Sequence, residues 1–451
     1  MKRLIEILVL IAALFSCQKS NINEDNKEER GMFDDSILPE ITVSVSLDEW
    51  NKLLSLYDAD HMTKEYVKCE VSVTRDNDVF NTSEAGLRLR GQTSRRRPEA
   101  GNSGQKHLSG STKWQHCHFM LRSDNGKIIL KYAHEDPTYV REHYCWDLAE
   151  RYGIWTGTKS SYCRLYINVE GDKHPAYFGV YLMIEHIGDQ YLEDRKDFFK
   201  SDKGFLWKCQ WGSNLKDLND DLFKVDDNSS NERAYELKTG KKHFDKAKEQ
   251  IRDFITKLNT LPDAKFPSWI SSVCDVDFLL KTYAMLVAVG HWDDYWNDMN
   301  NYYIFFNSRD KSSYKFFMIP YDLDNTLGTS HNCGVQTDSG RHDPYNWGMD
   351  QCPLIKRILQ VPEYKAVYTE YLKDFTDLQG PLFGWKASQT RINSWINLIQ
   401  PYVPNDTGED MEIKDRPASW GNHPEYRILS YGKNNWFKVK TESIAEWISK
   451  Q

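Results

Sequence analysis

Residues 301–328, NYYIFFNSRDKSSYKFFMIPYDLDNTLG, predict an antiparallel β-hairpin and with it the place where the acidic residues of the chain meet. Aromatic residues and isoleucine predominate in 301–307 and 314–320, and a polar turn separates the two segments. In such a hairpin, residues entering the first strand lie roughly 5 Å from those leaving the second. The loop GHWDDYWNDMNN (290–301) and the turn YDLDNTLG (321–328) are therefore predicted to lie at one end of the sheet.

This predicted meeting point is rich in carboxylates. Asp293, Asp294 and Asp298 lie on the first loop, and Asp322 and Asp324 lie on the second. Carboxylates brought this close repel one another unless a cation neutralises them. Oxygen ligands without cysteine and with few histidines suit Mg²⁺ or Mn²⁺ rather than Zn²⁺. The sequence therefore predicts a site for a hard divalent cation, of the kind that also binds phosphate oxygens.

The D-L-D-N-T run leaves three interpretations open. The first Asp of a D-x-D-x-T motif is the nucleophile of dehalogenase-type phosphatases, but these enzymes need a later acidic motif and an alternating α/β domain, and the chain after Gly328 provides neither. The order helix, loop with Asp293 and Asn301, hairpin and Asp matches the way protein kinases supply a base and metal ligands, although the spacing is longer. The third interpretation is an acidic turn that stays solvated.

The amino terminus predicts export and anchoring. Lys2 and Arg3 form a short basic region with Met1, and the apolar run that follows is too short for a convincing bilayer span. The residues before Cys17 resemble a bacterial lipobox, which predicts a signal peptide over 1–17 and membrane attachment through a lipidated Cys17. The polar stretch 18–38 is predicted to be a flexible tether. The expected location is the bacterial cell envelope, either periplasmic or surface-exposed.

Composition narrows the possible functions further. The net charge of −8 offers no general attraction for nucleic acid. A chain of 451 residues, 40% of them hydrophobic, is long enough for two lobes or domains. The cysteines beyond Cys17 form no C-x-x-C pair, so neither a zinc ribbon nor a thioredoxin-like site is indicated. In an exported protein some of them could form disulfides.

The pattern of apolar residues predicts an α+β fold with two lobes. Strand-like segments dominate 39–235, which is predicted to be a β-rich N-terminal lobe. Helical periodicity dominates 236–451, which is predicted to be a mainly helical C-terminal lobe around the central hairpin. The apolar-poor stretch 224–242 is expected to connect the lobes.

Two helices have clear predicted limits. The segment DPTYVREHYCWDLAERYG, with Asp136 as its N-cap, is expected to interrupt the strands of the first half and to end at Gly153. The segment DVDFLLKTYAMLVAVG is apolar on most sides, which predicts a helix buried in the core from Asp275 to Gly290.

Six segments in order resemble the CotH kinase family, which comprises atypical protein kinases of secretory compartments. They run from about Leu87 to Gly328 and read GLRLRGQTS, DPTYVREHYCWDLAERYGI, AYFGVYLMIEHI, KGFLWKC, HWDDYWNDMNNYYIFF and MIPYDLDNTLG. The resemblance implies an atypical protein-kinase-like fold with two lobes. It also implies ATP as phosphoryl donor, Mg²⁺ or Mn²⁺ as cofactor and a protein hydroxyl as acceptor.

The resemblance also implies roles for the acidic residues. Asp293 matches the catalytic aspartate, which orients or deprotonates the acceptor hydroxyl, and the neighbouring Asp294 could take this role instead. Asp322 matches the metal-binding aspartate. Asp324 and Asn301 are implied as further metal ligands or as residues that support them.

The nucleotide-binding residues implied by the resemblance are basic, with one acidic partner. Lys208 and Glu185 are candidates for the lysine–glutamate pair that places the phosphates of ATP, and Lys113 competes with Lys208. Arg90 begins an arginine-rich turn that could collect phosphate charge.

These features support one principal function and two alternatives. The principal one is a CotH-like protein kinase that acts in the cell envelope. A second is a non-catalytic, kinase-like adhesin or glycan-binding surface lipoprotein, in which the many aromatic residues contact sugars. The third is the phosphatase described above.

Overall fold

A barrel of seven strands forms the first half of the protein in the computed structural model. The structure describes residues 31–76, 78–124, 126–134, 136–227, 231–329, 338–416 and 426–451. The predicted signal peptide and residues 18–30 of the predicted tether lie outside these ranges. Residues 35–451 belong to one unit. No helix in the described ranges has the length and apolar character needed to cross a bilayer.

The barrel order is β1-β2-β3-β4-β5-β7-β6. Its strands are β1 (Glu40–Val45), β2 (Val67–Arg75), β3 (Asp78–Arg90), β4 (His118–Ser123), β5 (Gly126–Lys131), β6 (Ser160–Val169) and β7 (Ala176–Glu185). Neighbouring strands are antiparallel except β1 and β6, whose parallel pairing closes the barrel. Ile41, Val43 and Val45 alternate towards the interior, as the period of a half-buried strand requires.

Two helices accompany the barrel. Helix α1 (Leu47–Ala59) begins after Ser46, whose hydroxyl accepts the Glu49 amide, and it buries Trp50. Helix α2 (Arg141–Arg151) packs against β6 and against the helical half of the protein, so nearly all of it is buried. It begins later than predicted, and Asp136 accepts the Arg141 amide from a turn just before the helix.

A second sheet has the order β12-β11-β8-β10-β9. Its strands are β8 (Phe205–Cys209), β9 (Phe223–Val225), β10 (Tyr235–Leu237), β11 (Tyr302–Phe306) and β12 (Phe316–Pro320). The predicted hairpin is confirmed as β11 and β12, with Tyr302 opposite Pro320. Strand β8 joins it on the other side, where Lys208 lies opposite Tyr303.

Part of residues 224–242, which were expected to connect the lobes, forms a strand. These residues contain β10, which pairs with both β8 and β9, and its Tyr235 and Leu237 are fully buried in this sheet. The sheet therefore takes strands from both halves of the sequence. The division at 235/236 into two lobes stays a prediction.

The rest of the described chain is mainly helical. Helix α7 (Val276–Val289) matches its prediction, since the Asp275 carboxylate accepts the Phe278 amide and Gly290 ends the helix with φ +69°. The other helices are α3 (Asp189–Asp194), α4 (Lys196–Phe199), α5 (Phe244–Thr260), α6 (Phe266–Val273), α8 (Tyr295–Asp298), α9 (Pro353–Leu359), α10 (Pro362–Lys373), α11 (Trp385–Ile399) and α12 (Trp436–Ser449). The predicted α+β class is confirmed.

The described cysteines form no disulfide with one another. They are buried free thiols, namely Cys69, Cys117, Cys145, Cys163, Cys209, Cys274 and Cys352. Cys17 and Cys333 lie outside the described residues.

Candidate active site

A lysine at the end of β5, Lys131, lies among three carboxylates. Its Nζ is 2.5 Å from Asp322 Oδ1, 2.6 Å from Glu142 Oε2 and 3.1 Å from Asp324 Oδ2. Burial favours the neutral amine, but Asp322, Asp324 and Glu142 outweigh it and hold the pKa of Lys131 well above its usual range. The cluster thus joins the barrel, the first turn of α2 and the turn after β12.

The three carboxylates also differ from one another in acidity. Burial opposes the ionisation of Asp322, but Lys131 and Arg90 outweigh it and lower its pKa to about 2. Burial raises the pKa of Glu142 to about 7 and that of Asp324 to about 6. Asp322 also has φ +57°, a left-handed backbone that costs about 1 kcal/mol and that Asp tolerates better than most residues.

These residues fit a hard divalent cation. One oxygen of each of Glu142, Asp322 and Asp324 lies within 4.8 Å of the others. Carboxylate oxygens are the ligands preferred by Mg²⁺ and Mn²⁺. The ammonium of Lys131 supplies positive charge that holds the three carboxylates together.

Cation affinity should rise with pH. Glu142 and Asp324 have pKa values of about 7 and 6 in the folded protein, above their ordinary values. The protonated forms of Glu142 and Asp324 therefore stabilise the folded state. This contribution to the free energy of unfolding is complete below about pH 4 and is lost as the pH rises through about 6 to 7. Because a cation must displace these protons, we expect Mn²⁺ affinity to increase at least about tenfold from about pH 5.5 to about pH 7.5. Calorimetric titration in buffers of different ionisation enthalpy measures both affinity and proton release, and binding without proton release would contradict this prediction.

The loop before β11 holds Asp293 beside this cluster. Three side-chain amides donate to its carboxylate, from Asn300 at 2.9 Å, Asn301 at 2.8 Å and Asn325 at 3.2 Å. Asn325 follows Asp324, so this contact joins the two acidic segments that connectivity predicted would meet. Burial raises the pKa of Asp293 well above its usual range despite the Asn300 hydrogen bond.

Asp294 has a different environment from Asp293. It is 3% exposed and is the N-cap of α8, where its Oδ1 accepts the Asn297 amide at 2.8 Å. Its carboxylate therefore fixes the start of a short helix. Of the two adjacent aspartates, Asp293 is the one that contacts the turn after β12.

Two of the predicted phosphate-binding residues lie near Asp322. Arg90 donates to the Tyr321 hydroxyl at 2.7 Å, and Lys208 donates to Gln210 at 2.9 Å and lies over the Tyr321 ring. Burial lowers the pKa of Lys208 to about 8. Both cations lower the pKa of Asp322 through their charge. Unlike Lys131, neither has a carboxylate within 4 Å among the described residues.

The predicted Lys208–Glu185 pair is not formed. Glu185 is the last residue of β7 and instead accepts two hydrogen bonds from Arg195, at 2.8 and 2.7 Å. Arg195 directly follows α3, which ends beside this end of the strand. Lys113 lies in the loop before β4, where its carbonyl accepts the Ala100 amide. Within the described residues, its side chain has no contact with the acidic cluster.

Sequence reasoning missed Lys131 and Glu142. Lys131 is the fifth residue of the strand-like segment KIILKY and the last residue of β5, and Glu142 lies in the first turn of the helix that follows. A lysine closing an apolar strand shortly before an acidic helical turn was the available signal. Many surface ion pairs share that pattern, so it does not by itself single out these two residues.

A β-barrel joined to a helical half, with a lysine–carboxylate cluster and a separate amide-bound aspartate, defines a protein with a cation-compatible acidic centre. The sequence model described as CotH kinase protein matches residues 87–450. The chain therefore belongs to the CotH family.

Three curated proteins resemble the chain. It is 26% identical over 289 residues to the inner spore coat protein H of Bacillus subtilis (strain 168), covering 64% of this chain and 72% of the relative. It is 23% identical over 373 residues to spore coat protein homolog 1 of Rhizopus delemar, covering 77% of this chain and 56% of the relative. It is 22% identical over 437 residues to invasin CotH7 of the same organism, covering 92% of this chain and 64% of the relative. The chain thus spans less than two thirds of either fungal relative.

Proposed function

We propose that this protein is a CotH-type protein kinase that transfers the γ-phosphoryl group of Mg²⁺- or Mn²⁺-bound ATP to protein hydroxyl groups in the cell envelope. The observation that carries the proposal is the contact of Lys131 with both Glu142 and Asp322. A strand lysine paired with a helix glutamate, beside a metal-binding aspartate, is the arrangement that protein kinases require for activity. In this proposal the barrel is the core of the N-terminal lobe of a kinase-like fold.

The acidic cluster would hold the cation. Asp322, Asp324 and Glu142 provide the carboxylate oxygens. The side-chain nitrogen of Asn301 donates to Asp293, so the side-chain oxygen of Asn301 would be the atom that contributes to cation binding. A bound cation would neutralise the charge of the transferred phosphate. Lys131 would then be free to leave Asp322 and Asp324 and donate to a phosphate while Glu142 keeps it in position.

Arg90 and Lys208 would bind the remaining phosphate charge. Both are held near Asp322 by neutral partners, Tyr321 and Gln210, and neither has a carboxylate within 4 Å in the described part of the chain. Half-buried cations without a carboxylate in direct contact favour the binding of an anion. Phosphoryl transfer depends mostly on this positioning and on charge stabilisation, since little covalent chemistry falls to the protein.

Asp293 would be the catalytic residue that accepts the hydroxyl proton. Burial raises its pKa, which makes the Asp293 carboxylate a stronger base than an exposed aspartate, and three amides fix its orientation. The proton would pass from the acceptor oxygen to an Asp293 oxygen as the acceptor forms its bond to phosphorus. The bond between phosphorus and the leaving oxygen of ADP breaks in the same transfer.

The proposed location is the cell envelope, through a membrane anchor at Cys17. Two relatives carry spore coat names, which fits a protein that works at a cell or spore boundary. The partners would be a nucleotide and an acceptor protein.

A binding protein is the second candidate. One relative is named an invasin, and Trp211 is 67% exposed on the loop after β8, where it could contact a sugar or another protein. This candidate would need no nucleotide. The phosphatase is not retained, because the proposed CotH kinase chemistry accounts for the same acidic turn.

Replacing Asp322 with alanine distinguishes these candidates. We expect Mg²⁺ and ATP together to raise the melting temperature of the wild-type protein and to leave that of Asp322→Ala unchanged, because this substitution removes a cation ligand. Incubation with γ-labelled ATP and Mn²⁺, followed by mass spectrometry, should detect phosphoryl transfer only in the wild type.

Asp263→Ala is a matched control, since Asp263 is 93% exposed and its ion pair among the described residues is with Arg357. It should respond to the nucleotide as the wild type does. Equal stabilisation of wild type and Asp322→Ala, or of neither, would favour the binding protein.

A further inference from the structure

Lys440 of α12 is a fully buried lysine that the proposed reaction does not use. Its Nζ donates to the Ser339 carbonyl at 2.8 Å and lies 4.3 Å from the ring centroid of Trp347. Burial lowers its pKa to about 7, while the charge of Asp338 opposes that change. Burying an ammonium is costly, and an apolar side chain of similar length would fill the same space. The contacts of Lys440 therefore call for an explanation other than packing.

One set of contacts leads from Lys440 to the residue before Asp293. Ser339, whose carbonyl accepts from Lys440, donates through its hydroxyl to the Thr329 carbonyl at 3.4 Å. The Thr329 hydroxyl in turn accepts the indole N–H of Trp292 at 3.0 Å. Three hydrogen bonds thus connect the middle of α12 with the loop that carries Asp293.

A second set of contacts reaches the same loop from the other side. Trp347, which lies against the Lys440 ammonium, donates its indole N–H to the His291 carbonyl at 3.1 Å. Trp436, which lies on α12 together with Lys440, packs on Gly290. A Cβ added at Gly290 would lie 2.4 Å from the Trp436 ring. Gly290 has φ +69°, so both its conformation and this close contact require glycine.

We infer that Lys440 is a positioning residue for Asp293, an inference that rests on the proposed kinase function. Its ammonium holds Ser339 and Trp347 in place, and through them it fixes the backbone at His291 and the indole side chain of Trp292. Asp293 follows directly, so its carboxylate keeps its place relative to the acidic turn after β12. The C-terminal helix therefore contributes to the active site without contacting substrate.

The test compares Lys440→Met with Lys438→Met. Lys438 lies on the same helix, is partly exposed and pairs with Glu442. Its substitution should therefore change neither the kinetics nor the hydrogen exchange of the protein. For Lys440→Met we expect an unchanged or higher melting temperature and a nucleotide Kd within about twofold of wild type. We expect kcat to fall between about tenfold and a hundredfold, since small displacements of a catalytic group are costly. Backbone amides of residues 291–301 should exchange hydrogen faster, and those of β6 should not.

Trp292→Phe provides a second variant that keeps a ring but removes the hydrogen bond to Thr329. It should lower kcat similarly, and the double variant should be no worse than either single one, because both act through the same contacts. Unchanged kcat together with unchanged exchange in Lys440→Met would overturn the inference. If the wild type transfers no phosphoryl group, the proposed function fails. Hydrogen exchange alone then decides the role of Lys440, with unchanged exchange at 291–301 as the overturning result.

Discussion

Lys131→Met is expected to make the stability of the protein depend on divalent cations. The substitution keeps most of the side-chain volume but leaves Glu142, Asp322 and Asp324 without the ammonium that neutralises them. Removing one partner of a buried ion cluster typically costs about 3–5 kcal/mol of the free energy of unfolding. A bound Mg²⁺ or Mn²⁺ would restore positive charge at the same place and recover most of that loss.

Urea unfolding with and without millimolar Mn²⁺ measures this effect. The loss without cation should be larger at about pH 8 than at about pH 5, because Glu142 and Asp324 can take up protons at the lower pH. Lys127→Met is the control, since Lys127 lies on the same strand with its side chain exposed. A Lys131→Met protein as stable as wild type, with no response to Mn²⁺, would mean that the carboxylates do not form a cation site.

Asp293→Asn is expected to abolish most phosphoryl transfer while leaving nucleotide binding intact. The amide keeps the size of the carboxylate and one acceptor oxygen, but it cannot take the hydroxyl proton. Loss of a general base typically lowers the rate by about 10²–10⁴-fold. Because Asp293 is not among the three residues of the cation cluster, stabilisation by Mg²⁺ and ATP should persist.

Single-turnover assays with labelled ATP separate the chemical step from binding. Asp277→Asn is a suitable control, because this aspartate lies at the start of α7 and accepts a hydrogen bond from Tyr371, far along the helix from Gly290. Equal rates for Asp293→Asn and wild type would reassign the base. Loss of nucleotide binding in Asp293→Asn would instead indicate that Asp293 holds the cation.

Local patterns were sufficient for the elements that depend on neighbouring residues. The hairpin β11–β12 follows from alternating aromatic residues around a polar turn, and the limits of α7 follow from Asp275 and Gly290. An antiparallel pair has only one way to place its two open ends, so the meeting of the Asp293 loop with the Asp322 turn was predictable. The α+β class follows in the same way from strand and helix periodicity.

The amino-acid sequence by itself therefore determined the acidic centre, because chain connectivity brings its two loops together over a short distance. Only the tertiary structure decided which lysine and which glutamate complete it. Lys131 and Glu142 meet Asp322 because the end of β5, which pairs with β7, and the first turn of α2, which packs on the helical half, both lie against the turn after β12. Lys131 and Asp322 are almost two hundred positions apart in the sequence. What brings them together is the burial of many apolar side chains across the fold, which no local sequence motif encodes.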